Sequence, residues 1–359
     1  MRILVLSRPI INAGDFLFTS KSLEAFKVLR PSDEVVSGHL SQPYELDFLN
    51  SFDGIVIAGG PIYDDRFLKK EALPILKYIH SIEPKFYFMS NGWYGETDDI
   101  NKVFEYNVEE EVRENLFAIE KKGGSFTCRD FLSETILKNI GLRRVKTIGC
   151  SAWYDYEFVD YLHVRNVSNG INKIIISDQG MTKNSISWEW QFGQICRLVE
   201  YIKNKFPKSN ILFTFNGGIN TKYSKEYNMR ITEYLKKMQI DYFDISGSAM
   251  GFSIYDDANL HIGFRVHSHI YCMSKRIPTI LLEEDARGAG TNRAMGLQTI
   301  RNYRYAESSY SENTYMIKQI DYYLDDLIQS KFKLLEPAYR IMNMTFHDKF
   351  VPFVFSVGE

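Results

Sequence analysis

Short apolar runs alternating with stretches of helical period organise most of the chain. Arg2 to Ser7, Gly54 to Ala58, Lys85 to Met89, Ser125 to Cys128 and Lys146 to Cys150 are β-rich runs bounded by polar residues and predict buried strands. Helical segments fall between them. In Asp130-Phe-Leu-Ser-Glu-Thr-Ile-Leu-Lys-Asn-Ile-Gly141, Leu132, Ile136, Leu137 and Ile140 recur at helical spacing, Asp130 can cap the start and Gly141 can end the last turn. Strand alternating with helix predicts a parallel sheet covered on both faces. The polar stretch Arg165-Asn-Val-Ser-Asn-Gly-Ile-Asn172 breaks the pattern and is the candidate linker. Strands are then predicted again at Lys173 to Ser177, Asn210 to Phe215, Tyr242 to Ile245, Leu260 to Phe264 and Thr279 to Leu282. A helix with Trp188, Phe192, Ile195, Val199 and Ile202 on one stripe lies between the first two. The expectation is an α/β protein of two Rossmann-like domains facing each other, residues 1–165 and 166–305. A helical tail over 306–359 should pack Phe346 and Phe350 back on the body.

Composition narrows the class. At 359 residues the chain exceeds one hydrophobic core, and 45% hydrophobic with 25% charged residues is ordinary for a folded protein. A formal net charge of −2 with no basic stretch argues against nucleic acid as a partner. The run Met1 to Ser7, broken by Arg8-Pro9, is too short for a signal-peptide core, and later apolar runs stop well below the roughly 18 residues of a membrane span. Cys128, Cys150, Cys196 and Cys272 form no Cys-x-x-Cys pair and are expected reduced and mostly buried. A soluble, cytoplasmic protein is the expectation.

Candidate chemistry concentrates where strands run into helices. Arg265 and His267 stand at such a junction in His261-Ile-Gly-Phe-Arg265-Val-His267-Ser-His269. Free N–H groups at a helix start favour anions, an adjacent Arg can grip a carboxylate or phosphate, and a histidine there has a pKa suited to acid–base work near neutrality. Ser268, the next residue, is grouped with this binding set. The plainer reading, in which Arg265 makes a structural pair and His267 only caps the helix, explains the same residues equally well. Arg287 follows the next strand in Glu283-Glu-Asp-Ala-Arg287-Gly-Ala-Gly290 and could complete an anion pocket, or lie in a solvated charged turn. In the first half, Asn12-Ala-Gly14-Asp15 follows the first strand, and Asp15 can cap a helix or act as a base. Gly59 and Gly60 end another strand and let the backbone approach a ligand or simply turn, while Arg129 marks a further strand-to-helix junction. No metal site is expected, since the spacing of His261, His267 and His269 does not suit a shared ion on a helix. No Gly-x-Gly-x-x-Gly follows the first strand, and neither a Walker-type loop nor His-Glu-x-x-His occurs, which disfavours dehydrogenase, ATPase and metalloprotease readings.

In order and spacing these segments resemble the polysaccharide pyruvyl transferase family. Asn12-Ala-Gly-Asp15 looks like its Asn-x-Gly-Asp loop, and Asp53 to Gly60 like its strand ending in a glycine pair. Arg129-Asp130-x-x-Ser133 with Leu137 and Gly141 resembles its central element, and Gly263-Phe-Arg265-Val-His267 with Pro278 and Asp285-Ala-Arg287 its Arg-x-His block. The resemblance implies a cleft between two domains similar to the B type of glycosyltransferase, called GT-B, with phosphoenolpyruvate as donor. It also implies a sugar or lipid-linked glycan as acceptor, and no metal or organic cofactor. Arg265 and Arg129 would bind the donor's carboxylate and phosphate, and His267 would move protons. It places the protein in the cytoplasm or at the inner face of the cell membrane. Arg287 stands where the family commonly has Lys, and Cys150-Ser-Ala-Trp-Tyr-Asp155 departs from its Asp-Pro-like element. Two other functions suit the same architecture. One is a glycosyltransferase using a nucleotide sugar, and the other a glycan-binding module with Trp93 or Trp153 as stacking platforms.

Overall fold

The computed structural model describes residues 1–95, 99–167, 170–180, 187–221, 224–306 and 309–359. Two parallel six-stranded sheets carry them. The first holds β1 (Arg2–Ser7), β2 (Glu34–His39), β3 (Gly54–Ala58), β4 (Lys85–Asn91), β5 (Ser125–Cys128) and β6 (Val145–Thr147), in the order β2-β1-β3-β4-β5-β6. Its helices are α1 (Ala13–Leu29), α2 (Leu46–Asn50), α3 (Ile100–Glu105), α4 (Glu110–Lys121) and α5 (Phe131–Ile140). The second sheet holds β7 (Lys173–Ser177), β8 (Asn210–Phe215), β9 (Asp241–Asp244), β10 (Leu260–Gly263), β11 (Thr279–Glu283) and β12 (Ile300–Arg301), in the order β12-β11-β10-β7-β8-β9. With it go α6 (Trp188–Lys205), α7 (Lys225–Lys237), α8 (Val266–Ser274) and α9 (Ala286–Met295), then a hairpin of β13 (Tyr303–Ala306) and β14 (Ser309–Glu312). Helices α10 (Met316–Gln329), α11 (Glu336–Thr345) and α12 (Val351–Ser356) end the chain.

Burial on both faces explains the apolar runs. In β1, Ile3 and Val5 join a core that continues through Trp153 and Tyr154 to Ile174, Ile175 and Ile176, while Leu4 and Leu6 point the other way and pack with Ile55 and Phe86. Each such side chain contributes about 1.5–3 kcal/mol by leaving water. The caps expected for α5 are present. Asp130 accepts from the Ser133 N–H at 2.8 Å, and Gly141 closes the helix at φ 110°.

Four elements were not anticipated: β2, β12 and the β13–β14 hairpin. β2 is an edge strand paired only with β1 and largely half-exposed, so it carries too little apolar pattern to announce itself. The expected strand to Cys150 stops at Thr147, because Gly149 turns the chain at φ 78°. The α6 stripe holds at Ile195, Val199 and Ile202 but not at the helix start, where Trp188 is exposed and Gln191 is buried. Gln194, also buried, reaches the Asn313 carbonyl at 3.2 Å, so a polar contact with the chain's last part replaces apolar packing there.

Arg165 and Asn166, from the expected linker, are tied to the second domain. The Arg165 N–H donates to the Arg276 carbonyl at 2.8 Å, and Asn166 to those of Asp256 and Ala258 at 3.1 Å. Residues 168–169 of that stretch, and 307–308 near the expected start of the tail, lie outside the described residues. Phe346 and Phe350 are buried against Tyr154, so the tail folds back on the body. Among the described residues no helix is long and apolar enough to cross a membrane. The four cysteines are unpaired, three buried and Cys196 half-buried.

Candidate active site

Topology fixes where ligands can enter. In the first sheet the chain runs from β1 outward to β2 and then returns to β3, so the loops after β1 and β3 diverge and open a crevice. In the second it runs β7, β8, β9 and returns to β10, opening a crevice between β7 and β10. The crevices face each other. The Ala13 N–H donates to the Asn216 carbonyl at 2.9 Å, and the Gly247 N–H to the Ile11 carbonyl at 2.7 Å. Between them lies a small pocket. Asn12, Asp15, Pro61 and Arg129 line one wall, and Asn216, Arg265, His267, Glu284 and Arg287 the other.

Each cation is held by its own fixture. Arg265, following β10, is gripped by Asp178, following β7, through Nε to Oδ1 at 2.6 Å and Nη2 to Oδ2 at 2.5 Å. Asp285 caps α9 by accepting from the Arg287 N–H at 2.9 Å and holds the Arg287 guanidinium at 2.5 Å, with the ring of Tyr94 beneath it at 4.6 Å. Arg129 is buried, meets Asp130 at 3.3 Å, and keeps a buried Nη2 without a partner among the described residues. It lies against Gly92, where a Cβ would overlap the guanidinium. A fourth positive element is the start of α8, which no side chain among the described residues caps. Its free N–H groups carry partial positive charge toward the pocket.

His267 packs its ring against Gly14, where a Cβ would overlap Nδ1, and beside Phe18 at a centroid distance of 5.6 Å. The glycine of the Asn12 to Asp15 segment is therefore required by a histidine in the other domain. Burial, with Arg129 and Arg287 adding to it, lowers the His267 pKa to about 3. This differs from the sequence expectation of a group titrating near neutrality: the ring is held as a neutral imidazole with little tendency to take up a proton. Asp15 fills the near-neutral role instead. Burial raises it to about 6 against the opposing pull of Arg287, Arg265, Arg129 and Arg8. Asn12 caps α1 by accepting from the Gly14 N–H at 2.9 Å, which fixes the turn presenting Asp15.

Of the residues singled out from sequence, Asn12, Asp15, Arg129, Arg265, His267 and Arg287 meet in this pocket. Gly59 and Gly60 do not. They line an adjoining pocket with Arg8, Phe18 and Phe67, which shares Asn12, Asp15 and Arg287 with the first. Both turn at positive φ, 62° and 79°, and a Cβ on Gly59 would overlap Phe18. Ser268 is a correction. It is fully buried, accepts from Asn216 Nδ2 at 2.9 Å and from the Tyr255 hydroxyl at 3.0 Å, and faces the core, because one residue past His267 the helix has turned inward. Trp93 and Trp153 are buried as well and cannot serve as sugar platforms. His261 and His269 share Thr279 Oγ1, at 2.7 and 2.9 Å, inside the core. Among the described residues no group of three His, Cys, Asp or Glu side chains could hold a metal ion.

Three contributors were missed: Asp178, Asn216 and Glu284. Asp178 and Asn216 directly follow β7 and β8, and that position at the carboxyl end of a predicted strand was the available signal.

Comparison with solved structures gives the fold a name. MnaA from S. aureus in complex with UDP shares 10% identity over 98% of this chain and 97% of its own, with a TM-score of 0.54. The UDP-GlcNAc 2-epimerase from Neisseria meningitidis bound to UDP-GlcNAc shares 10% over 97% and 100%, TM-score 0.57, and OtsA in its apo form 9% over 99% and 100%, TM-score 0.55. At such identities the likeness establishes architecture alone, and that architecture is GT-B: two Rossmann-like domains facing across a cleft. Comparison with curated proteins finds no match. A sequence model described as polysaccharide pyruvyl transferase matches residues 12–285, a span that opens on Asn12, closes on Asp285 and takes in most of the pocket. The chain therefore belongs to the polysaccharide pyruvyl transferase family and is a transferase.

Proposed function

We propose that this enzyme moves the enolpyruvyl group of phosphoenolpyruvate onto a sugar of a polysaccharide or glycan precursor, forming a pyruvate ketal and releasing phosphate. The observation that carries this reading is the convergence of Arg129, Arg265, Arg287 and the uncapped start of α8 on one small pocket. Phosphoenolpyruvate presents a carboxylate and a phosphate within a few bonds of each other. Guanidiniums fixed in advance by Asp178 and Asp285 can neutralise both and stabilise the departing phosphate without reorganising.

Residues 166–305 form the donor side on this reading and residues 1–165 the acceptor side. The adjoining pocket, floored by Gly59 and Gly60 and flanked by Phe67 and Arg8, is the acceptor's room, and its shared wall brings a sugar hydroxyl toward Asp15. An ionised Asp15 accepts that hydroxyl's proton as its oxygen adds to C2 of the donor, with the neutral His267 ring packed against the neighbouring Gly14. The reaction as written uses no organic cofactor and no metal, the positive charge coming from the arginines. Sugars on soluble or lipid-linked precursors of capsule or exopolysaccharide fit it, handled in the cytoplasm or at the inner face of the membrane.

The test is incubation with phosphoenolpyruvate and a panel of acceptor sugars. Acceptor-dependent phosphate release together with a ketal-bearing product supports the reading, and its absence across a broad panel sinks it. Stabilisation against heat by UDP but not by phosphoenolpyruvate would turn the assignment to nucleotide-sugar transfer on the same architecture.

A further inference from the structure

Pyruvyl transfer requires one proton to reach the methylene carbon of the donor, and few groups in the pocket can supply it. Guanidiniums do not release a proton near neutrality. His267 already lacks the extra proton, and Asp285 is held on both oxygens by Arg287. Among the described residues Asp15 and Glu284 remain. Asp15 belongs to the first domain, on the acceptor's side, and lines both pockets. Glu284 follows β11 in the opposite wall, beside Arg265 and Arg287.

The surroundings of Glu284 are those of a carboxylic acid. Its Oε2 accepts the Gly180 N–H at 3.1 Å, whereas Oε1 is buried with no partner among the described residues. A buried carboxylate needs donors on both oxygens, and one donor on one oxygen leaves the other free to carry a hydrogen. Among the described residues, the charged and titratable groups around it are Arg265 at the start of α8, Asp285 and Arg287 at the start of α9, Tyr227 on α7, and Tyr94. Burial, assisted by Asp285, outweighs both arginines and the Gly180 N–H and raises its pKa to about 8.

We propose that Glu284 is the general acid that protonates the methylene carbon of the bound enolpyruvyl group. This rests on the pyruvyl-transfer reading above. The Oε1–H bond breaks as the π pair of the enol forms the new C–H bond, leaving C2 electron-poor beside the phosphate-bearing oxygen. A first acceptor hydroxyl bonds to C2, and its proton passes to Asp15. The bond from C2 to the phosphate oxygen then breaks with its electron pair, and phosphate leaves with that proton. A second hydroxyl closes the ketal and its proton restores Glu284, so the two hydroxyl protons lost match one gained by the new methyl and one by phosphate.

Glu284→Gln keeps the size of the side chain and removes the acid. The expected result is a folded variant with thermal stabilisation by phosphoenolpyruvate like the parent's, but turnover lower by about 10²- to 10⁴-fold. An acid must be protonated to act, so parent activity should fall as pH rises through about 8, and this limb should vanish in Glu284→Gln. Glu284→Asp, an acid of shorter reach, should be slow yet keep the limb, and it carries the test if Glu284→Gln does not fold. Turnover of Glu284→Gln within about 3-fold of the parent with the limb intact, or of Glu284→Asp at the full parental rate, overturns the assignment of Glu284 alone. A parent without any phosphoenolpyruvate turnover removes the pyruvyl-transfer reading, and the assignment with it.

Discussion

Asp15 sits among arginines that should favour its charge, yet burial prevails and its pKa stands at about 6. Acting as a base it must be ionised, so turnover should rise as pH passes upward through about 6, and Asp15→Asn should lose that limb with about 10²- to 10⁴-fold of rate. Stability should move the opposite way. A carboxyl whose folded pKa lies above the unfolded value of 3.8 contributes stability below that value and loses it as pH rises through about 6. Asn resembles the protonated form, so at pH 7.5 the variant should be more stable by about 1–2 kcal/mol, discounted for partial exposure, which thermal melting would show. Gly14→Ala tests the same wall by volume. Its Cβ overlaps the His267 ring, and displacing that ring should cost about 1–3 kcal/mol in stability along with most of the activity, read from melts and turnover. At this scale the sequence was informative where a residue's place along the chain defines its task, as for Arg129 and Arg265 at strand-to-helix junctions. It was uninformative where the task depends on a partner brought by a distant strand. Nothing local shows that Asp178 will grip Arg265 or that Glu284 will be left with a bare oxygen. It misled at Ser268 and at the pKa of His267, where direction and burial are set by packing.

Helix α8 shows what an element contributes beyond its side chains. Asp130 caps α5, Asn12 caps α1 and Asp285 caps α9, but the cap position of α8 is Arg265, whose side chain is committed to Asp178. The leading N–H groups of α8 are thus left for an anion. Val266 is its first residue, and Arg265 before it has φ −87° and ψ 114°, a conformation that tolerates a following proline. Val266→Pro should therefore fold normally while removing one donor, and raise the KM for phosphoenolpyruvate about 10-fold with a smaller change in kcat. An unchanged KM would mean that the donor's anionic groups lie elsewhere. Elements themselves were largely readable, because strands covered on both faces must be apolar throughout. Those that escaped are β2, an exposed edge, and the short β12, where little burial leaves little pattern.

The cleft works only while both domains keep their relation, and the last helices span them. Helix α11 packs on the second domain, with Arg276 over Tyr339 at 4.9 Å, whereas α12 reaches the first sheet, where Phe353 meets Tyr87 with ring centroids 6.5 Å apart. Arg30, at the end of α1, fastens this return. Its Nη1 donates to the carbonyls of Val354 at 3.0 Å and Val357 at 2.6 Å, and its Nη2 pairs with Asp33 at 2.5 Å. Positive charge at a helix C-terminus satisfies carbonyls that otherwise have no partner. Arg30→Ala would leave those carbonyls without their donor and Asp33 with only the N-terminal ammonium of Met1, at 3.0 Å, a loss of about 3 kcal/mol. The melting midpoint should then fall by roughly 5 °C or more. Arg30→Lys, with a compact ammonium in place of the fork, should fall between the two. Hydrogen exchange should localise the change to residues 351–357, and because Asp15 and Arg129 ride on the loosened domain, the KM for phosphoenolpyruvate should rise although Arg30 lies outside the pocket. A ligand that bridges both walls binds only the assembled cleft, so saturating phosphoenolpyruvate should recover part of the lost stability in Arg30→Ala and none in Arg30→Ala combined with Arg129→Ala. Recovery of the same size in both would show that the donor is held by the second domain alone.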